Sequence, residues 1–113
     1  MNVDDKQAQV ILDAVLNDKN IGKVGHRNDL MVDACIAGVC LGMDQEILEQ
    51  MVSEAIYTWM AAEVPAVDPL SVPVSVRMTM EHIDRIWPYA KRWFRNGETA
   101  EKLLGSYSNN GDN

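Results

Sequence analysis

The chain has 113 residues, of which 47% are hydrophobic, enough to fold around one core and too many for a disordered polymer. Its net charge of −7 is unevenly spread: residues 1–65 hold eleven acids against four bases, and residues 66–113 hold six of each. General nucleic-acid affinity needs lysine and arginine to displace counterions from phosphate, so this balance argues against it, with the basic stretch 77–95 as the exception.

Ala8, Ile11, Leu12 and Val15 repeat at three and four residues and predict a helix over 4–16, with Asp4 and Asp5 at its positive end. Residues 17–27, with Gly22 and Gly25, lose the period and read as a loop; Asn28 or Asp29 can then cap a second helix. That helix, over 29–41, is apolar nearly all round, which predicts a central place in a bundle. Ala34, Ala37 and Gly38 would let a neighbouring helix approach. Cys35 and Cys40 point about 140° apart around this helix, too divergent for a disulfide, and are expected as reduced thiols.

Gly42 is the expected end of the second helix and Asp44 the expected cap of a third, reaching residue 62. There Leu48, Met51, Val52, Ala55, Ile56 and Trp59 form an apolar face opposite Glu46, Glu49, Gln50, Ser53 and Glu54. Between 63 and 78, Pro65, Pro69 and Pro73 oppose a continuous helix, while Val72, Val74 and Val76 alternate as in a strand. An ordered, extended crossover is predicted. Thr79 then caps a fourth helix to residue 95, with Ile83, Ile86, Trp87, Ala90 and Phe94 as its core stripe and a kink or break at Pro88. Gly97 stops it, a short helix covers 98–104, and 106–113 read as a disordered polar tail.

The expected fold is all-α. Residues 1–105 form one domain, a compact bundle of four to five helices with a Pro-rich extended crossover between helices three and four. The longest apolar stretch, 30–43, is interrupted by Asp33 and too short to span a bilayer, and no apolar segment follows a basic start. A cytoplasmic protein with no membrane partner is expected.

Ala37, Gly38, Leu41, Gly42, Met43, Leu48 and Met51 resemble the buried positions of a helix-turn-helix unit, in which the second helix enters the DNA major groove. The resemblance spans about fifteen residues and implies that Gln45 and Gln50 would read bases, with Arg85, Lys91, Arg92 and Arg95 anchoring phosphates. The outward positions 44, 46 and 49 are all carboxylates, however, which phosphate would repel.

The fourth helix offers a second surface, where Arg85, Arg92 and Arg95 fall near one face and Trp87, Tyr89, Trp93 and Phe94 supply large rings. Trp, Tyr and Arg dominate binding energy at protein interfaces. His26, His82, Cys35 and Cys40 lack metal-ligand spacing, and no phosphate loop or nucleophile–base pairing is apparent, so neither a metal, a cofactor nor enzymatic activity is expected.

The function expected from these residues is a non-enzymatic interaction module, comparable in kind to the accessory regulators and inhibitors of phages and mobile elements. It would bind another protein, or itself as a homodimer, through Trp93, Tyr89, Arg92 and Arg95 or through Glu46, Glu49 and Gln50. The alternative is a helix-turn-helix-like transcriptional regulator.

Overall fold

The computed structural model describes residues 5–63 and 66–96, with side chains as far as residue 94. Four helices follow in order: α1 (Asp5–Leu16), α2 (Arg27–Cys40), α3 (Gln45–Ala61) and α4 (Ser71–Asn96). The described residues contain no strand. None of the helices among them is long and apolar enough to cross a membrane.

The first three helices form where the apolar periods place them. Ala8, Ile11, Leu12 and Val15 are all buried on α1, and Leu48, Val52 and Ile56 on α3. Helix α2 touches each of the other three, packing most extensively on α4 and α1. Its nearly unbroken apolar surface is therefore covered on several sides. Trp59 of α3 joins two helix ends, since its indole Nε1 donates to the Leu16 carbonyl of α1 at 3.0 Å. That carbonyl lies in the last turn, where no helical donor is available.

Between α1 and α2 the chain is held by polar contacts that periodicity does not reveal. Helix α2 begins at Arg27, earlier than Asn28 or Asp29 would cap it, with His26 at the N-cap and no side-chain capping bond. Arg27 is buried. Its Nε donates to the Gly22 carbonyl at 2.8 Å and its Nη2 to Ser75 Oγ at 3.3 Å, so one guanidinium links the loop to α4. Lys23 pairs with Glu63 at 2.8 Å and ties the same loop to the end of α3. Gly22 adopts φ +82° there.

The segment expected to be extended is corrected. Helix α4 starts at Ser71, so Val72, Val74 and Val76 are helical. Pro73 lies in the first turn, whose N–H groups lack intrahelical acceptors, and costs no hydrogen bond there. The buried positions of α4 are Val72, Ser75, Thr79, Ile83, Ile86, Trp87 and Ala90, a helical period in which two positions are hydroxyl residues. Thr79 is thus mid-helix and buried, its Oγ1 donating to the Ser75 carbonyl at 2.7 Å, rather than an N-cap. The turn before α4 is built by Asp68, whose Oδ1 accepts from the Leu70 N–H at 2.9 Å.

Pro88 does not break α4. Its missing N–H deprives the Asp84 carbonyl of a helical donor, but both residues are exposed and water can serve that oxygen. The short helix expected at 98–104 and the tail 106–113 lie outside the described residues, as does Pro65.

Burial and the nearby charge of Asp29 push the Asp33 carboxyl on α2 up to about 6 from 3.8. Below 3.8 the group is protonated in folded and unfolded chains alike; between the two values only the folded chain holds the proton; above about 6 both are ionised and the folded chain carries a poorly solvated charge. Stability should therefore fall as pH rises through this window. Asp33→Asn is expected to raise the thermal midpoint at neutral pH and to flatten that part of the profile. Melts across the acidic range that show the same slope for both proteins would refute an elevated Asp33.

Candidate interaction surfaces

Opposite its buried stripe, α4 presents a line of exposed residues three and four apart: Val74, Met78, Glu81, Arg85, Tyr89 and Arg92. The helix has 26 residues and is thus about 39 Å long. Its exposed line runs from Val74 to Arg92. Met78 and Val74 are large apolar side chains in water, and Tyr89 is 52% exposed.

Three of the residues expected to bind a partner meet at one end of this face. The Arg92 guanidinium lies 5.4 Å from the Tyr89 ring centroid, a cation–π contact, and the Tyr89 and Trp93 rings sit 6.2 Å apart at 36°. Trp93 is half-buried and packs against the core with its other side, so Tyr89 is the more available ring. The side chain of Arg95 lies outside the described residues.

Phe94 corrects the expected core stripe. It is 39% exposed and outside the core, one turn past Ala90, the last buried position of α4 among the described side chains. Arg85 is exposed and donates from Nη2 to His82 Nδ1 at 2.8 Å. Burial, then the positive charges of Arg85 and Arg27, hold His82 below its ordinary value, in keeping with a neutral ring that accepts this bond. Lys91 is exposed two turns along from Asp84 on the same flank.

The acidic residues of α3 form a second surface. Asp44, Gln45, Glu46, Glu49 and Asp84 line an open recess of about 620 Å3. The Gln45 amide donates to Glu49 Oε1 at 2.8 Å and also to Asp84 Oδ1. Glu49 is held above the usual carboxylate range, first by burial, with Gln45 opposing and the contact with Asp84 adding to it. Glu46 and Gln50 are exposed, but Gln50 does not line the recess.

Asp84 was not legible as part of this surface. In sequence it belongs to the basic stretch, and only the packing of α3 on α4 sets it beside Glu49. Ile47, another exposed apolar residue at 49%, projects from the same helix.

The α2–turn–α3 segment has the turn that its resemblance implies. Gly42 has φ +70°; its N–H donates to the Val39 carbonyl at 3.0 Å, and the Met43 N–H to the Gly38 carbonyl at 2.9 Å. This is the paired C-terminal closure that a left-handed glycine permits. Asp44 stands at the N-cap of α3 in extended conformation, without a side-chain capping bond. Gly38, however, serves α4 as closely as α3: a Cβ there would lie 3.3 Å from Trp87 Cζ3 and 3.5 Å from Leu48 Cδ2. Its small size is explained by the core alone.

Cys35 and Cys40 are free thiols. Burial first, then the charge of Glu49 for Cys35 and of Asp5 for Cys40, pushes them up to about 12 and about 11, so neither supplies a thiolate at neutral pH. Among the described residues no three His, Cys, Asp or Glu side chains are grouped to hold a metal ion. Compared with known protein families, curated proteins and solved structures, the chain matches none.

Proposed function

We propose that the chain is a small, non-enzymatic protein-interaction module that acts by occlusion or assembly, with the exposed face of α4 as its contact surface. The observation that carries this reading is the line Val74, Met78, Arg85, Tyr89 and Arg92, which joins exposed apolar and aromatic side chains to arginines on one rigid helix. Tyr, Met and Arg are the types enriched at interface cores, and a helix holds them without the ordering cost of a loop. An accessory regulator or inhibitor would need no more chemistry than this.

The DNA-regulator alternative is disfavoured by charge. Gln45 is bonded to two carboxylates, and Asp84 adds a further acid to a helix end that already carries Asp44, Glu46 and Glu49. A phosphate backbone approaching α3 would meet these first.

The test is photo-crosslinking in the cells that make the protein, with a photoreactive residue at position 89 of α4, 50 of α3 or 10 of α1, all three exposed. Protein adducts are expected at 89 and not at 10. Equal yields at all three positions, or none at 89, would overturn the reading. Duplex DNA binding at low salt that is lost when Arg85 and Arg92 are reversed would replace it with the regulator.

A further inference from the structure

We infer that the occupant of the α4 face is a second copy of this chain, docked antiparallel on the same face about an axis passing between Glu81 and Arg85. The inference rests on the reading of α4 as the contact surface and names its partner.

The order of residues along the exposed line carries the argument. Val74 and Met78 stand at one end, Glu81 and Arg85 in the middle, and Tyr89 and Arg92 at the other end. A parallel pair would set Glu81 on Glu81, Arg85 on Arg85 and Arg92 on Arg92, three like-charge juxtapositions. In the antiparallel pair Glu81 meets the partner's Arg85, and Arg85 meets the partner's Glu81, so one surface supplies both halves of a reciprocal contact, as an isologous interface requires. Val74 and Met78 then lie along the partner's Arg92 and Tyr89. The apolar end covers the aromatic end, where arginine stems and the tyrosine ring supply apolar contact.

The central charges are available for this. Among the described residues no hydrogen bond or ion pair engages Glu81, although Arg85 stands one turn away on the same helix; Arg85 turns to His82 instead. Arg77, also exposed and one turn before Glu81, makes no ion pair with it among the described residues, and Arg92 is stacked on Tyr89. The α3 recess does not compete as the self-surface, because two copies would bring acidic residues against acidic residues.

The experiment is sedimentation equilibrium of the full chain across micromolar to millimolar concentrations, on the natural protein, Glu81→Arg, Arg85→Glu and the double exchange. The natural chain is expected to approach twice its 12.6 kDa. Each single reversal replaces two attractions with two repulsions and should weaken the dimer at least about tenfold. The double exchange restores both attractions only in the antiparallel arrangement, and should return the dimer to within a few-fold of the natural one. Because it also lacks the Arg85–His82 contact, its recovery separates lost pairing from damaged folding.

A chain that stays at 12.6 kDa throughout, a dimer indifferent to the single reversals, or a double exchange that remains monomeric overturns the inference. Crosslinking at position 89 then separates the two readings. Adducts of other masses would keep α4 as a contact surface with a foreign protein on it, and the absence of any adduct would remove both.

Discussion

Replacing Trp87 with Ala is expected to lower the stability of the fold by about 3–5 kcal/mol, the cost of deleting a large core side chain with partial collapse around it. Trp87 is only 5% exposed, and its ring edge fills the space that Gly38 leaves open between α2 and α4. The indole is therefore one of the side chains that seat the longest helix on the central one. Removing it leaves a void faced by Gly38, which has no side chain to move in.

The same substitution at Trp93 is expected to cost less, roughly 1–2 kcal/mol, since part of that ring is already in water. Urea unfolding followed by far-ultraviolet circular dichroism measures both. Equal losses at the two positions would contradict the packing described for Trp87, and would make Trp93 a core residue rather than a boundary one.

The second large effect is at Gly22. Gly22→Ala is expected to cost about 3 kcal/mol, from the left-handed strain of a side chain at φ +82° together with overpacking against Ile56. An added Cβ would lie 2.9, 3.0 and 3.1 Å from three carbons of that fully buried side chain. The glycine carbonyl also accepts from Arg27, so the loop cannot shift to relieve the clash without disturbing a buried charge-assisted hydrogen bond.

Gly25 provides the internal control. It has φ +87°, but an added Cβ would find nothing within 4 Å, so Gly25→Ala should cost only the backbone strain, about 1 kcal/mol. The difference between the two variants isolates the contact with Ile56. Closely matching denaturation midpoints for them would mean that the α1–α2 loop does not press on α3 as described.

Much of the architecture is legible in the sequence alone. The three-and-four spacing of Ala8, Ile11, Leu12 and Val15 predicts α1 nearly to the residue, and the broad apolar surface of 29–41 predicts a central α2. Gly42 and Asp44 mark the turn into α3. These signals are local: a stripe, a left-handed glycine and a cap residue each act within a turn or two of chain.

The start of α4 was not legible, because Ser75 and Thr79 occupy its buried face. Hydroxyls at core positions erase the apolar period, and the alternating valines at 72, 74 and 76 then read as a strand. They are tolerated inside because their polar atoms find partners: Thr79 donates to the Ser75 carbonyl, and Ser75 Oγ receives the Arg27 guanidinium. The contact with Arg27 crosses 48 positions of sequence, a distance over which no pattern in one chain speaks.

The candidate surfaces divide in the same way. Tyr89, Arg92 and Arg85 could be placed on one helical face by counting residues, and so could Glu46, Glu49 and Gln50. That Phe94 would escape the core and that Trp93 would be held half inside it depend on how α4 packs against the other helices, and that Asp84 would close a recess with Gln45 and Glu49 depends on the packing of α3 on α4.

The sequence by itself determined the helical class and the course of the first three helices to within about two residues, because helix formation and its termination are governed by neighbours within about four positions. Only the tertiary structure decided where α4 begins, which polar groups could be buried and which aromatic rings remain in water. Those outcomes are set by partners brought together from distant parts of the chain.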